Sequence, residues 1–214
     1  THAGYIKRQP ADTYQAQRRG GRGITALSRK EEDFVEELFL ASTHDYLLFV
    51  TDQGRIYRLK GYQVYEGSRT AKGTNIVNLL PLQDGEQVAG MLSVAKEQME
   101  QHAEHEQYLV MVTKNGIIKR TPLSAYANIR KSGLIAINLN EGDALAWTHI
   151  TSGENELLVA TRNGMIIRFA ETDARTMGRN ATGVRAIRLS EGDSVVGCAI
   201  LREGATVLTV TEEG

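Results

Sequence analysis

The chain has 214 residues, 41% of them hydrophobic, which is enough to fold around one large core or two small ones. It has no apolar run near 18 residues and one cysteine, Cys198, so we expect no membrane span, no secretory leader and no internal disulfide. Averaged over the chain, the net charge of −1 also argues against a nucleic-acid-binding protein.

The charge is segregated, however. Through residue 30 the chain carries seven basic side chains and one acidic side chain, Asp12, whereas residues 31–37 include five acidic ones. Within the basic part, residues 17–23 read QRRGGRG. Arginine matches phosphate oxygens bidentately, and glycine lets backbone amides approach a bulky anion. The heptad therefore predicts a phosphate-binding loop, although a solvated turn uses the same residues.

The heptad belongs to an internal repeat that is marked by the motif Thr-x-x-Gly. The motif occurs at residues 1–4, 51–54, 113–116, 161–164 and 211–214, with glycine intervals of 50, 62, 48 and 50 residues. After each of the first four glycines the second residue is isoleucine and the fourth is arginine: Arg8, Arg58, Arg120 and Arg168. A period of this length indicates a solenoid, a propeller or a similar array.

Each period also holds a second basic loop, which ends in a glycine 17 or 19 residues after the first. The heptad is the richest copy, and the others occupy residues 69–73, 130–133 and 179–183. Acidic turns follow at residues 84–86, 141–143 and 191–193, and residues 31–33 replace them in the first period.

Strand patterns fill the rest of each period. Apolar runs at residues 46–51, 108–113, 156–161 and 206–211 lead into the turns, and returning strands are predicted at 55–59, 117–121 and 165–169. Third strands are predicted at 74–80, 134–139 and 184–189, and fourth strands at 87–94, 144–150 and 194–201. Four strands per roughly 50 residues are typical of a propeller blade.

The predicted architecture is therefore all-β, as one domain or fragment over residues 1–214. Its repeats span about residues 4–53, 54–115, 116–163 and 164–213, and the acidic insert at 95–107 is predicted to be an exposed loop or a short helix. Cys198, Trp147 and Phe169 are predicted to pack inside the blades.

One potential metal site is weak. His102 and His105, beside Glu104 and Glu106, lack a fixed third ligand, so we predict a solvated loop and no metal. No residue shows a nucleophile or acid–base pattern, and we predict no catalytic residue in this chain.

The repeats, the heptad and the phrases KEEDF (30–34), IVNLLPL (76–82) and TGVRAIRLSEGD (182–193) resemble the C-terminal domain of the bacterial DNA gyrase A subunit. The resemblance covers essentially the whole chain. The heptad corresponds to the characteristic box of that family and is called the arginine box below. In the paralogous topoisomerase IV subunit this box is lost or degraded.

The resemblance implies a β-pinwheel, a propeller-like disc or arc whose blades exchange strands. The family usually has six blades, and this chain holds about four periods. It also implies non-specific wrapping of double-stranded DNA around a basic rim, in support of negative supercoiling by a type IIA topoisomerase. The implied partners are the rest of gyrase A and gyrase B in a heterotetramer, in the bacterial cytoplasm and with no membrane. ATP and Mg²⁺ would serve other parts of the enzyme, and this domain would need no cofactor.

The predicted DNA-binding residues are the arginine box and the basic residues of the returning strands and second loops. They are Gln17, Arg18, Arg19, Gly20, Gly21, Arg22, Gly23, Lys7, Arg8, Arg58, Arg69, Lys72, Lys119, Arg120, Arg130, Lys131, Arg168, Arg179 and Arg185. For Arg58, Arg120 and Arg168 the alternative is a salt bridge to an acidic turn of a neighbouring blade.

Two other classes remain open: a protein-interaction scaffold and a propeller enzyme. The residues that recur in phase are arginines rather than the aromatic residues that interfaces prefer, which disfavours a scaffold. The histidines share no phase, which disfavours an enzyme.

Both ends of the chain are cut at the same phase of the repeat. Residues 206–214 are the outgoing half of a hairpin and residues 4–9 are the returning half of one. We expect an open arc, and a ladder between residues 206–211 and 5–9 would contradict this expectation.

Overall fold

The computed structural model describes residues 1–13, 33–99 and 105–210. Across these ranges the chain forms thirteen β-strands and six short 3₁₀ helices, with no α-helix. The strands are β1 (Tyr5–Ile6), β2 (Tyr46–Thr51), β3 (Arg55–Lys60), β4 (Thr74–Asn75), β5 (Val88–Val94), β6 (Tyr108–Thr113), β7 (Ile117–Pro122), β8 (Leu134–Ile135), β9 (Leu145–Thr151), β10 (Glu156–Thr161), β11 (Ile166–Ala170), β12 (Val184–Arg185) and β13 (Val195–Ile200). None of the described helices is long and apolar enough to cross a membrane.

The Thr-x-x-Gly motifs form the predicted hairpin turns. In β2–β3 the Gly54 amide donates to the Thr51 carbonyl at 2.9 Å, and the Arg55 amide donates to the Thr51 hydroxyl at 3.2 Å. The same two bonds recur in the other three described turns, at 3.0–3.1 Å and 3.2 Å. Gly54 has a φ of 77°, which lies in the left-handed region that favours glycine.

The sheets exchange strands between repeats. β5, β2 and β3 are joined by β8 of the following repeat, and β9, β6 and β7 are joined by β12. β1 pairs with β4, and β13–β10–β11 form a three-stranded sheet. This confirms the predicted all-β, pinwheel-type fold.

The predicted third strands are much shorter than expected, because each leaves the sheet after two residues. The chain then crosses the preceding turn: the Ala136 and Ile137 amides donate to the Gly54 carbonyl at 2.8 and 3.2 Å. A Cβ at Gly54 would lie 2.5 Å from the Ile137 carbonyl oxygen. The glycine therefore serves two purposes, a left-handed turn and close contact with the next repeat.

Residues 206–210 were predicted to be a strand, and this is wrong for the described part of that segment, which pairs with no strand. β1 pairs instead with β4. No ladder joins residues 206–210 to residues 5–9, and residues 211–214 lie outside the described part.

The hydrophobic core lies between neighbouring repeats. One cluster joins Leu48 and Ile56 of the β2–β3 hairpin to Leu109, Met111 and Tyr126, and a second joins β6 and β7 to β10 and β13. Trp147, Phe169 and Cys198 pack against the second cluster, as predicted. Burial raises the pKa of the Cys198 thiol to about 12.

The acidic insert is only partly as expected. Residues 96–99 form a short 3₁₀ helix, but Met99 is only 2% exposed and belongs to the first core cluster. The insert is therefore anchored by one buried apolar side chain, although most of its residues are polar. Residues 100–104 lie outside the described part.

Arginines at the fourth position after the turn glycine connect each repeat to the next. Arg8 Nε donates to the Val64 carbonyl at 2.9 Å, Arg58 Nη1 to that of Ala127 at 2.6 Å, and Arg120 Nε to that of Ala174 at 3.1 Å. All three acceptors directly follow a 3₁₀ helix: Gly61–Gln63, Leu123–Tyr126 and Glu171–Asp173. We call these arginines the inter-repeat arginines.

Lys119 forms a similar connection at a buried position. Its side chain is 0% exposed, and Nζ donates to the carbonyls of Ala136, at 2.6 Å, and Arg179. Burial, together with the nearby Arg179 guanidinium, lowers the pKa of Lys119 from 10.5 to about 8.

Gly183→Ala should destabilise the fold more than Gly192→Ala. Both glycines have positive φ, 114° and 74°, so both variants incur a cost of about 1 kcal/mol for the backbone conformation. Only at Gly183 would the new Cβ lie 2.5 Å from a carbonyl oxygen, that of Ile118, whereas Gly192 has open space. This clash should cost about a further 1–3 kcal/mol. Urea unfolding of both variants measures the difference, and equal losses would contradict tight packing at Gly183.

Lys119→Met should remove a pH-dependent part of the stability. Between pH 8 and 10.5 the unfolded chain still holds a proton that folded Lys119 has released, so the native free energy of unfolding rises with pH. The gain relative to the methionine variant should be on the order of 2 kcal/mol across this window. Urea unfolding at pH 7.5 and at pH 10 measures it for both proteins. A constant difference between them would show that Lys119 keeps an ordinary pKa.

Candidate nucleic-acid interface

The second basic loops are four-residue turns at the surface. The Ala71 amide donates to the Ser68 carbonyl at 3.0 Å, Gly133 to Arg130 at 2.9 Å, and Ala181 to Gly178 at 3.2 Å. Residues 68–71, 130–133 and 178–181 are called the basic turns below. They occupy equivalent places in three successive repeats, each just before a short exchanged strand.

The glycines after or within these turns pack against the preceding repeat. Gly73, Gly133 and Gly183 have φ values of 89°, 76° and 114°. A Cβ would lie 2.6 Å from the Ile6 carbonyl oxygen at Gly73, and 2.7 Å from the Tyr57 ring at Gly133. Only glycine allows this approach, so the backbone of each turn is held at a fixed distance from its neighbour.

A cation from the preceding repeat lies behind each basic turn. Lys7 Nζ donates to the Ser68 and Arg69 carbonyls at 3.1 and 2.7 Å. Arg55 Nη2 donates to the Ser132 carbonyl at 2.6 Å, and Lys119 Nζ donates to that of Arg179. Sequence reasoning missed this arrangement, although one signal was present: Lys7 and Lys119 both lie three residues after a turn glycine.

A buried carboxylate orients Arg55. Arg55 Nε lies 3.2 Å from the Tyr57 hydroxyl, which donates to Glu86 Oε2 at 2.7 Å. Glu86 also accepts a bond from the Thr51 hydroxyl at 2.6 Å. Burial and the Glu86 carboxylate raise the pKa of the Tyr57 hydroxyl. The acidic turn of the second repeat thus supports a basic turn of the third.

Outward-facing cations mark the interface. Arg69, Arg130, Lys131 and Arg185 are exposed, and no salt bridge is found for any of them within the described ranges. Lys72 and Arg179 are half-buried, and Lys72 Nζ lies 3.9 Å from the centre of the Tyr5 ring. Two exposed arginines that flank the last basic turn, Arg175 and Arg188, were not predicted. Arg188 lies inside the phrase TGVRAIRLSEGD, so the resemblance to the family was a signal that could have identified it.

Several residues predicted for the rim point inward instead. The prediction is wrong for the buried side chains of Lys119 and Arg120, because their donors bond carbonyls of the next repeat. Lys7, Arg8 and Arg58 are half-buried and make equivalent bonds.

Arg120 pairs with an acid of the next repeat, since its Nη1 lies 3.6 Å from Glu171, but Glu171 belongs to the 3₁₀ helix Glu171–Asp173 and not to an acidic turn. Arg8 likewise pairs with Glu66 at 2.7 Å. Arg58 pairs with no acid among the described residues, and its guanidinium lies 4.4 Å from the centre of the Tyr46 ring. Arg168 is exposed and pairs with Glu156 of its own hairpin, with Nε 3.1 Å from Oε1.

The arginine box, residues 17–23, lies outside the described ranges. Its contacts with DNA therefore stay a prediction. His102 and Glu104 of the weak metal pattern also lie outside, and no cluster of three possible metal ligands is found in the part of the chain that the structure describes.

The acidic side chains serve the fold. Glu171 accepts from the Thr151 hydroxyl at 2.6 Å, and Asp143 and Asp193 accept from the Asn115 and Asn163 amides at 3.0 Å. These carboxylates are occupied in turns and between repeats, which is unlike a set of acids that converge on a substrate.

Comparison with known proteins identifies the family. The family model described as "DNA gyrase C-terminal domain, beta-propeller" matches residues 1–42, 45–95, 107–152 and 155–202. The DNA gyrase A protein of Clostridium acetobutylicum is 53% identical over 86% of this chain, and that of Staphylococcus epidermidis is 45% identical over the full length of this chain. The chain spans 22% and 24% of those two relatives.

Solved structures show the same fold. The C-terminal domain of DNA topoisomerase IV matches 94% of this chain and 59% of its own, with a TM-score of 0.76 at 27% identity. The DNA gyrase A C-terminal domain matches 94% of this chain and 63% of its own, with a TM-score of 0.71 at 25% identity. Since the family model covers most of the chain and strand exchange is present, the chain belongs to the DNA gyrase C-terminal domain family.

Proposed function

We propose that this chain binds double-stranded DNA without sequence preference and bends it along the basic turns. One observation carries the proposal: three successive repeats present the same turn, held by a cation of the preceding repeat, with Arg69, Arg130 and Lys131 exposed on two of the turns and Arg179 half-buried on the third. Contacts with phosphates supply affinity but do not read base sequence. Bending a 20–30 bp site costs roughly 1–6 kcal/mol, which only several regularly spaced contacts offset.

In the intact protein, this chain would act as the non-catalytic, DNA-wrapping domain of a gyrase A subunit. Catalytic residues, ATP and Mg²⁺ would belong to other parts of the enzyme, and gyrase B and the rest of gyrase A would be its partners in the bacterial cytoplasm. The arginine box favours a gyrase over a topoisomerase IV subunit. Its glycines suggest a conformable loop that clamps DNA where the duplex enters or leaves the basic turns.

Removing exposed charge from one basic turn should weaken DNA binding through lost phosphate contacts. For Arg130→Ala/Lys131→Ala, the slope of log K against log salt should fall in magnitude by about 1.8, or 0.9 per contact. Fluorescence anisotropy with a duplex of arbitrary sequence, titrated from low to high salt, measures the slope.

The matched control is Lys114→Ala/Arg162→Ala, which removes two exposed charges from hairpin turns rather than basic turns. It should leave the slope nearly unchanged. Equal effects of the two double variants would show that net charge, not the basic turns, governs binding. Absence of binding at low salt, or a Kd independent of salt, would overturn the proposed function.

Replacing residues 17–23 with alanines should separate affinity from bending. If the arginine box clamps the duplex at one end, affinity should stay within roughly tenfold, about 1.4 kcal/mol, while most bending disappears. Energy transfer between dyes at the two DNA ends reports bending, and anisotropy in the same buffer reports Kd. Parallel loss of both, or no loss of either, would mean that the box has no separate clamping role.

A further inference from the structure

Two of the basic turns share a device that the rest of the site does not explain. Lys7 and Lys119 occupy the same position of their repeats, and each donates to the carbonyl of the second residue of a basic turn, Arg69 or Arg179. In each case the lysine comes from the preceding repeat. Lys119 is buried and reaches its turn from the interior of the molecule, whereas the bonds of the half-buried Lys7 lie at the surface.

The lysine also fixes the direction of the adjoining peptide N–H. The described residues contain no cis peptide bond, and a trans peptide places its C=O and N–H on opposite sides of the bond. The amides that share a peptide unit with the Arg69 and Arg179 carbonyls are those of Thr70 and Asn180. Because the two carbonyls accept bonds from the lysines, these two N–H groups face away from the lysines.

Both amides are available to a ligand. Thr70 and Asn180 are exposed, and neither backbone N–H donates to any acceptor in the described part of the chain. A free, outward N–H beside an arginine side chain is a combination that suits a phosphate oxygen, since backbone amides are common phosphate donors in protein–DNA complexes.

We propose that Lys7 and Lys119 are positioning residues, which aim the Thr70 and Asn180 amides outward as hydrogen-bond donors to DNA phosphates. This inference rests on the proposed function and adds to it. Lys7 and Lys119 do not contact DNA themselves, and the adjacent Arg69 and Arg179 supply the charge. Each of these two turns thereby offers one backbone donor of fixed direction and one guanidinium.

The third basic turn provides an internal comparison. There Arg55 holds the Ser132 carbonyl, and the N–H of the same peptide unit, Gly133, already donates to the Arg130 carbonyl at 2.9 Å. That amide has no donor left for phosphate. It should therefore not respond to DNA as the Thr70 and Asn180 amides do.

The test is an amide NMR titration of the ¹⁵N-labelled chain with a 20-bp duplex of arbitrary sequence at low salt. In the native protein the Thr70 and Asn180 amide protons should move downfield as hydrogen bonds to phosphate form. The Gly133 amide proton should move much less. This measurement needs no variant, so it stands even if a lysine substitution weakens the fold.

Variants then test the role of each lysine. Lys7→Met should abolish the downfield shift of Thr70 while that of Asn180 is kept, and Lys119→Met should do the reverse. The matched control, Lys72→Met, removes the same charge near the same turn and should leave both shifts intact. Lys7→Met should weaken binding about threefold to tenfold with little change in the salt slope, whereas Lys72→Met should reduce the slope by about 0.9.

The outcomes separate this inference from the proposed function. If the resonances of Arg130 and Lys131 respond to DNA while Thr70 and Asn180 do not, the inference is wrong and DNA binding by the basic turns stands. If Lys7→Met reduces the salt slope as Lys72→Met does, Lys7 contacts phosphate directly and is no positioning residue. If no resonance responds at low salt, both proposals fail.

Discussion

Each repeat is held to the next by cations that donate to main-chain carbonyls, and the surface of the molecule depends on these bonds. Arg8, Arg58 and Arg120 bond the end of a 3₁₀ helix, while Lys7 and Lys119 bond the basic turn beyond it. A carbonyl oxygen is a weaker partner than a carboxylate, but it belongs to the backbone and so fixes the path of the chain. The positions of the exposed arginines follow from this backbone path.

The same arrangement explains how a nearly neutral chain can present a basic surface. Some of the acids that balance the charge are buried or bonded within turns: Glu86 and Glu171 are buried, and Asp143 and Asp193 accept bonds from hairpin amides, whereas others such as Glu141 and Glu191 are exposed. The basic side chains that face solvent are then concentrated in a few short segments. The net charge of the chain was therefore a poor guide to DNA binding, and the local electrostatic field of the basic segments was a better one.

The fold could be predicted well from the sequence because turns and strands are local. Thr-x-x-Gly fixes both hydrogen bonds of a hairpin turn within five residues, and the pattern of apolar residues on either side defines the two strands. The destination of the third strands could not be read from local pattern, since Val184–Arg185 looks the same whether it pairs within its own repeat or with β7. Only tertiary packing, the fit of Ile187 over Gly116, decides it.

The site was predicted in part for the same reason. Periodicity identified Arg120 and Lys119 as important, but it could not tell an inward from an outward side chain, and both are buried. Arg69, Arg130, Lys131 and Arg185 lie in turns or at edges, where exposure follows from local structure, and they do face solvent. Arg55 was missed because its role depends on Tyr57 and Glu86, which are remote from the turn that it supports.

Strand exchange also determines when each sheet can be completed during protein synthesis. The sheet of β2, β3 and β5 has all its own residues once the ribosome has passed Val94, yet its fourth strand, β8, begins only at Leu134. A nascent chain therefore carries one incomplete blade at its growing end, with an unpaired edge exposed until the following repeat emerges from the exit tunnel. Translation pauses within the acidic insert, between these two strands, would prolong that exposure.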